Sequence, residues 1–165
     1  MSDDVAVGRR VVAVLDGLGV PYEVMPIDPA LADTAEFCAH YGIPLDQSAN
    51  TIVVASKKEP KQYCACLVLA TTRLDVNHAV RKLMGVSRVS FASGDETKAL
   101  TGMLIGGVTI FALPAELPIY VDERVMAPAF IIVGGGGRST KIKLAPDALR
   151  RLPNVTVVSG LASEL

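Results

Sequence analysis

The feature that most constrains the fold of this chain is the run of four glycines at residues 134–137. It lies between the apolar segment "FIIV" and the segment "KIKL", in which charged and apolar residues alternate as they do in a β-strand. Glycine readily adopts the positive φ angles of tight turns, so the pattern predicts two antiparallel strands joined by a turn. A phosphate-binding loop would need a helix directly after the glycines, whereas "KIKL" predicts a strand. The sheet is therefore expected to be at least partly antiparallel.

The other segments predict helices concentrated in the first hundred residues. Apolar residues at helical spacing, with capping residues or terminal glycines, indicate helices at residues 5–19, 33–42, 75–85 and 93–102 and a short helix from Pro146. Asp33 with Glu36, and Ser93 with Glu96, have the spacing of a capping box. Short apolar or alternating runs indicate strands at residues 21–27, 51–55, 63–71, 86–91, 106–114, 118–125, 130–133, 141–144 and 154–159. We therefore expect a single mixed α/β domain over residues 1–165.

The charge balance limits how the chain can bind nucleic acid. Its 165 residues include 16 basic and 17 acidic ones, for a formal net charge of −1, whereas proteins that bind nucleic acid through its phosphates are usually basic. Such a contact has to come from a local patch, and Lys57, Lys58 and Lys61 in one predicted turn can form it. The ordinary interpretation of these lysines is a solvated turn.

The chain has no segment with the ~18–20 consecutive apolar residues of a membrane-spanning helix. Its beginning, "MSDDVAVGRR", lacks the order of charged and apolar regions that marks a signal peptide. We therefore expect a soluble cytoplasmic protein that makes no membrane contact.

Neither a metal site nor a nucleophile of a known pattern is indicated. The two histidines, His40 and His78, are not at metal-ligand spacing, so no metal or other cofactor is expected. Cys64 and Cys66 point to the same side of a predicted strand, where they are interpreted as core residues in preference to a metal or redox pair. A hydrolase that uses one of these thiols remains a third hypothesis for the function.

Two glycine-containing turns are candidate parts of a binding site. Gly106 and Gly107 lack side chains, so a ligand can approach the backbone closely and accept hydrogen bonds from its N–H groups. A simple tight turn is the alternative interpretation. The turn at residues 134–137 can line a pocket in the same way, which makes Gly135 a candidate substrate-binding residue.

Five segments in a fixed order carry a resemblance that covers residues 5–152. They are "SANTIVV", "RLDVNHAVRKL", "LTGMLIGGVTIF", "LPIYVDE" and "IIVGGGGRSTKIKLAPDAL". In this order they resemble the YbaK-like aminoacyl-tRNA deacylase family, whose members are similar to the editing domain of bacterial prolyl-tRNA synthetases. The resemblance implies an α/β domain whose mixed, curved sheet, with flanking helices, surrounds a small pocket.

The resemblance also implies an activity, namely hydrolysis of the ester that joins a wrong amino acid to the 3′ end of a tRNA. No metal is needed, because backbone N–H groups bind the carbonyl and a lysine helps to hold the terminal nucleotide. Gly106 and Gly107 would supply those N–H groups, and Thr51 matches a position at the pocket. The implied partners are mischarged aminoacyl-tRNA and, as an option, an aminoacyl-tRNA synthetase.

This chain departs from the family pattern at the position of the lysine. A stretch similar to "K-T-L-V-V" appears here as "N-T-I-V-V", which puts Asn50 where the family has its lysine. An amide can form hydrogen bonds but cannot neutralise charge, and a charge-assisted hydrogen bond contributes about 1.5–3 kcal/mol. Asn50 can alternatively close the turn before the strand as an Asx-type cap.

Asp122 matches the family segment "YVDE" and has two interpretations. It can orient the amine of the substrate or bond to nearby backbone. The leading hypothesis is therefore a deacylase that acts in trans on mischarged tRNA. The alternative is a pocket protein of reduced activity that binds an amino acid, a nucleotide or a tRNA end without turnover.

Overall fold

The computed structural model describes residues 3–165, and the strands in this part of the chain form sheets of five, three and two strands. In chain order the strands are β1 (Tyr22–Pro26), β2 (Ala49–Ser56), β3 (Tyr63–Leu69), β4 (Thr72–Leu74), β5 (Val89–Phe91), β6 (Ile119–Asp122), β7 (Ile131–Gly134), β8 (Thr140–Leu144), β9 (Val155–Val158) and β10 (Ala162–Glu164). The helices are α1 (Asp3–Leu18), α2 (Thr34–Tyr41), α3 (Arg81–Met84), which continues a wider π-turn at Val76–Val80, and α4 (Gly94–Thr101). Short 3₁₀ turns lie at Pro29–Leu31, Leu45–Gln47, Glu123–Met126 and Pro146–Arg151.

The five-stranded sheet has the order β5-β2-β3-β6-β9 and is mixed, as expected from the sequence. β2 and β3 form an antiparallel hairpin, while β3, β6 and β9 run parallel to one another. Both faces of this sheet are covered. Val53, Ala65 and Leu67 face one apolar cluster that includes α1, and Val54 and Cys66 face another beneath the π-turn.

The three-stranded sheet contains the turn from which the sequence argument began. β7 and β8 are antiparallel, with Gly134 opposite Lys141, and β1 pairs with the other edge of β8. The prediction of a hairpin at the glycine run is therefore confirmed. A single parallel bridge between Ser48 and Ile132 joins this sheet to the start of β2. Beyond that bridge the two sheets separate, and the space between them becomes a cavity.

Capping explains where the helices begin and end. Ser93 and Glu96 form the predicted capping box, because the Ser93 hydroxyl accepts from the Glu96 N–H and the Glu96 carboxylate accepts from the Ser93 N–H. α4 then ends at Gly102, whose φ of 71° is the left-handed value that glycine adopts without strain. Asp33 also stands at an N-cap position, but its side chain makes no capping hydrogen bond. The capping box predicted there is wrong.

Two strand predictions need correction. Residues 106–114 were expected to form a strand, but they form successive turns, in which Gly106 has a φ of 93° and Ala112 a φ of 70°. Strand β2 is longer than expected and begins at Ala49, so Asn50 pairs with Val68 inside the sheet. The interpretation of Asn50 as a cap on a turn before the strand is therefore wrong.

Candidate functional site

A cavity of about 410 Å³ lies between the start of β2 and the end of β7. Asn50, Thr51 and Gly106, three of the residues singled out in the sequence, line it. Its walls are largely apolar, and Phe91 and Ile105 stand at its rim with more than half of their surface exposed. The arrangement can enclose a small group while a larger, flat group packs against the rim.

The backbone of β2 presents polar groups along the edge that faces the cavity. The backbone groups of the even-numbered residues of β2 bond to β3. The same pattern begins just before the strand, where the N–H of Ala70 donates to the carbonyl oxygen of Ser48 at 2.8 Å. The odd-numbered residues therefore point their N–H and C=O groups away from β3, and Val53 O accepts from Ala92 N–H at 2.9 Å. The backbone groups of Thr51 thus point to the edge of β2 at the cavity. The hydroxyl oxygen of Thr51 is buried and has no hydrogen-bond partner among residues 3–165.

Asn50 is held in position by the first residue of α2. Its Oδ1 accepts a hydrogen bond from the Thr34 hydroxyl at 2.6 Å. The Nδ2 group, by contrast, makes no hydrogen bond within the described part of the chain. Because Oδ1 is occupied, Nδ2 is the group of Asn50 that remains available to donate to a ligand.

The glycines of the site have two different roles. Gly106 lines the cavity, whereas the N–H of Gly107 donates to Leu104 O at 2.8 Å and its carbonyl accepts from Gly136 N–H at 2.6 Å. A Cβ on Gly107 would overlap the carbonyl oxygen of Gly137. Gly107 therefore serves backbone packing, and its N–H, expected to bind substrate, is bonded within its own loop in this structure. Gly135 packs against Thr140, and Gly134 is the glycine of this turn that reaches the cavity.

Lys141 is the cation that lines this cavity, and it is buried with 7% of its surface exposed. Its Nζ donates to Gly106 O at 2.8 Å and lies 5.3 Å from the centroid of the Phe37 ring. Burial lowers the pKa of Lys141 to about 8; the charge of Asp33 opposes this shift and that of Arg138 adds to it. A lysine in this state switches between its charged and neutral forms close to physiological pH.

Arg138 connects the segments around the cavity entrance. Its guanidinium lies 3.2 Å from Asp33 Oδ1 and donates to Ile105 O at 2.7 Å and to Pro29 O at 3.2 Å. Asp33 is therefore engaged by Arg138, which accounts for the missing cap of α2. The loop after α4, the start of α2 and the glycine turn are held together by this one side chain.

Several other candidate residues lie away from the cavity. Asp122 is at the end of β6, separated from β2 by β3, and both of its carboxylate oxygens are buried without partners among the described residues. Lys57 and Lys58 are exposed in the β2–β3 turn, and Lys61 lies 3.9 Å from Glu96. The strand rise of about 3.3 Å per residue places Lys57 roughly 23 Å along β2 from Asn50.

The cysteines are core residues, as the sequence indicated. Cys64 and Cys66 are 1% and 0% exposed, with 3.9 Å between their sulfur atoms. Hydrogen bonding to Cys64 and burial raise the pKa of the Cys66 thiol, so the reactive thiolate is disfavoured. Among residues 3–165, no three His, Cys, Asp or Glu side chains are grouped as a metal site would require. In the same part of the chain, no helix is long and apolar enough to cross a membrane.

Sequence reasoning missed Lys141 and Arg138. Lys141 was interpreted only as the charged residue of an alternating strand. The one local signal was its place near the start of the strand that follows the glycine turn, where it pairs with Gly134. Arg138 carried no local signal, because its partners are about thirty to a hundred residues away in the sequence.

Comparison with known proteins agrees with this geometry. The sequence model of the aminoacyl-tRNA editing domain matches residues 28–152, which include the cavity. A protein of Enterococcus faecalis (strain ATCC 700802 / V583), EbsC, described as a candidate Cys-tRNA(Pro)/Cys-tRNA(Cys) deacylase, is 32% identical over 73 residues. That match spans 44% of this chain and 44% of the length of the curated relative.

Solved structures share the fold. A crystal structure of a candidate trans-editing enzyme for prolyl tRNA synthetase superposes with a TM-score of 0.79 at 25% identity, over 93% of this chain and 95% of the other. The hypothetical protein APE2540 superposes with a TM-score of 0.83 at 22% identity, over 93% and 99% of the two chains. The mixed α/β fold expected from the sequence is thus confirmed, and this chain belongs to the aminoacyl-tRNA editing domain family.

Proposed function

We propose that this protein is an aminoacyl-tRNA deacylase that acts in trans, hydrolysing the ester between a wrong amino acid and the 3′ end of a tRNA. The observation that carries the proposal is the cavity lined by Asn50, Thr51 and Gly106, which lies within the residues matched by the editing-domain family. As part of the same proposal, the protein acts in the cytoplasm, either alone or beside an aminoacyl-tRNA synthetase.

The reaction is an ester hydrolysis in which a water molecule is the nucleophile. The water oxygen bonds to the carbonyl carbon, the bond from that carbon to the ribose oxygen breaks, and a proton ends on the ribose oxygen. The products are the free amino acid and a tRNA with its hydroxyl restored. Such a reaction is accelerated by donors that are already oriented towards the carbonyl oxygen, where negative charge develops.

The residues of the cavity suit the parts of this substrate. The Nδ2 group of Asn50 can donate to a ribose hydroxyl or to the phosphate of the terminal nucleotide. The unpartnered hydroxyl of Thr51 can bond to the aminoacyl group. Phe91 and Ile105 at the rim give the terminal base an apolar surface on which to pack.

A small aminoacyl group fits the proposal best. The relative from Enterococcus faecalis is described as acting on Cys-tRNA, and the cavity walls include Val53, Val108 and Ile132, against which a small apolar side chain can pack. We therefore propose cysteinyl-tRNA and alanyl-tRNA as the substrates to be tested first.

The proposal is tested by measuring deacylation of a panel of mischarged tRNAs by the wild type and by Asn50→Lys. Asn77→Lys is the control, because it adds the same charge at an exposed site on the π-turn. Turnover by wild type, with Asn77→Lys unchanged, would support the deacylase. If only Asn50→Lys turns over, the natural protein is a pocket protein that binds its ligand without this reaction. No turnover by any variant would contradict the proposed function.

A further inference from the structure

We infer that Lys141 is a further catalytic residue of this cavity, whose ammonium group donates to the ester carbonyl oxygen of the bound substrate. The inference rests on the proposed function. It identifies Lys141 as the source of positive charge in the cavity, since Asn50 is neutral.

Lys141 is buried to a degree that is unusual for a lysine. Lysine is seldom buried unless its charge is paired, yet here 7% of the residue is exposed and no carboxylate lies within 4.0 Å of Nζ among the described residues. The partners present are one carbonyl, Gly106 O at 2.8 Å, and the face of the Phe37 ring. An ammonium group has three donors, so two remain unused on a side chain that lines the cavity.

The fold holds the amine of Lys141 in a fixed place. Lys141 lies on β8, the central strand of its sheet, with Met25 on one side and Gly134 on the other. Gly134 lets the backbone of Gly107 and Val108 pack closely beside β7, since a Cβ there would overlap their carbonyl oxygens. Phe37 of α2 covers the lysine. A donor with this support needs little rearrangement when charge develops on a substrate.

Three ionisable groups, those of Asp33, Arg138 and Cys38, face the amine of Lys141. Asp33 favours the charged form of Lys141, and it is itself paired at 3.2 Å with Arg138, whose charge acts on Lys141 in the opposite direction. Cys38 on α2 is buried near Lys141, and burial raises the pKa of its thiol, which therefore remains uncharged at neutral pH. A developing oxyanion would be the nearest strong partner for the ammonium group in the cavity.

The test compares Lys141→Met with Lys143→Met. Lys143 lies two residues along the same strand, with its Nζ 5.1 Å from the Phe130 ring and outside the cavity, which makes it a matched control. We expect Lys141→Met to lower kcat/KM for hydrolysis of the mischarged tRNA by roughly 100-fold or more, the usual effect of removing one donor to an oxyanion. Lys143→Met should keep the wild-type value.

The dependence of kcat/KM on pH separates a catalytic role from a structural one. Since the pKa of Lys141 is lowered to about 8, the rate advantage that its ammonium form provides should be complete well below pH 8, fall to half near pH 8 and be lost above it. The decline should be absent in Lys141→Met, after subtraction of the spontaneous hydrolysis. Titration of the substrate amine contributes equally to the pH profiles of wild type and Lys141→Met. The difference between the two profiles is therefore due to the titration of Lys141. Identical profiles would overturn the inference.

Binding of a stable analogue separates this inference from the proposed function. The probe is 3′-alanylamino-3′-deoxyadenosine, in which an amide replaces the ester, and its Kd is measured by calorimetry with each variant, whose fold is checked by thermal unfolding. Wild-type binding that weakens at least tenfold in Lys141→Met supports the contact between Lys141 and the carbonyl group, and without deacylation by wild type it would overturn the catalytic role alone. Turnover by wild type that Lys141→Met retains in full overturns the inference and leaves the proposed function standing. Absence of both binding and turnover in wild type overturns both.

Discussion

Lys141 and Asp122 are both buried charged residues, but their surroundings differ. Lys141 has a carbonyl partner and borders a cavity, so its burial is connected with a site. Asp122 is 1% exposed, does not border that cavity, and has no hydrogen-bond partner for either carboxylate oxygen among residues 3–165. Burial raises the pKa of Asp122, against the opposing charge of Arg124. The ionised form is therefore less stable in the folded chain than in the unfolded chain.

We expect Asp122→Asn to remove part of the pH dependence of stability. Because folding raises the pKa of Asp122, the folded chain binds the proton more tightly than the unfolded chain does. The stability that the protonated carboxyl group contributes therefore falls as the pH rises from 3.8, its ordinary pKa, through its raised pKa in the folded chain. The free energy of unfolding in urea, measured from pH 4 to pH 8, should decline less in Asp122→Asn than in wild type. Asp46→Asn, at an exposed site, serves as control. An unchanged slope in Asp122→Asn would contradict the prediction.

Gly107 allows two backbone segments to approach each other at the edge of the cavity. A Cβ at this position would overlap Gly137 O, and backbone cannot move aside as a side chain does. We expect Gly107→Ala to lower the free energy of unfolding by about 3 kcal/mol or more. Gly8→Ala in α1 has open space around the new methyl group, and it should raise stability by about 0.5–1 kcal/mol. Chemical denaturation measures the free energy of unfolding of both variants. Equal changes in Gly107→Ala and Gly8→Ala would refute the packing role of Gly107.

At the scale of elements, the same capping signature has two outcomes. Ser93 and Glu96 form a complete capping box at α4, which places Thr97 at the cavity. The equivalent spacing at α2 is not used, because Asp33 is engaged by Arg138. A local signature thus predicts where a helix begins, but a distant partner decides whether the cap forms.

We expect Ser93→Ala to destabilise the chain by about 1 kcal/mol, the usual cost of losing an N-cap side chain. The deacylation rate at 25 °C should change little, because Ser93 does not line the cavity. Thermal or urea unfolding measures the effect, with Ser87→Ala, at an exposed position before β5, as the control. A loss confined to activity, with stability unchanged, would be inconsistent with a capping role.

At the scale of the whole molecule, charge is distributed so that contact with tRNA has to be local. The formal net charge of −1 provides no general attraction for phosphate. Asn50 lies near the first residue of β2, and the exposed turn with Lys57 and Lys58 follows the last residue of that strand. Phe91 on β5 pairs with Val54 and so lies between Asn50 and the turn. A tRNA whose 3′ end enters the cavity can run along this edge to the lysines.

We expect the double variant Lys57→Gln, Lys58→Gln to weaken tRNA binding and reduce its salt dependence. Each phosphate contact contributes about 0.7–0.9 to the slope of log K against log salt, so losing two should lower the slope by about 1.4–1.8. Filter binding between 50 and 200 mM salt measures the slope. The control for net charge is the double variant Lys82→Gln, Lys98→Gln, which changes exposed residues on α3 and α4. A slope equal to wild type would mean that these lysines only solvate the turn.

Most of the element order could be predicted from the sequence, since it depends on local signals. The glycine turn between β7 and β8, the α4 capping box and the paired strands β2 and β3 each depend on residues close together in the chain. One exception is the segment of residues 106–114, which has strand composition although its backbone bonds to the turn at Gly136. That partner is distant in sequence, so composition alone misassigned the segment.

The sequence by itself determined the mixed α/β class, the hairpins and the family, because these follow from local patterns and their order. Tertiary structure alone decided which polar residues share a cavity. It excluded Asp122 and Gly107, placed Asn50 and Thr51 on the wall, and brought Lys141 beside Gly106, 35 residues away in the chain. The physical reason is that burial and charge depend on which segments pack together, whereas turns and caps depend on neighbours along the chain.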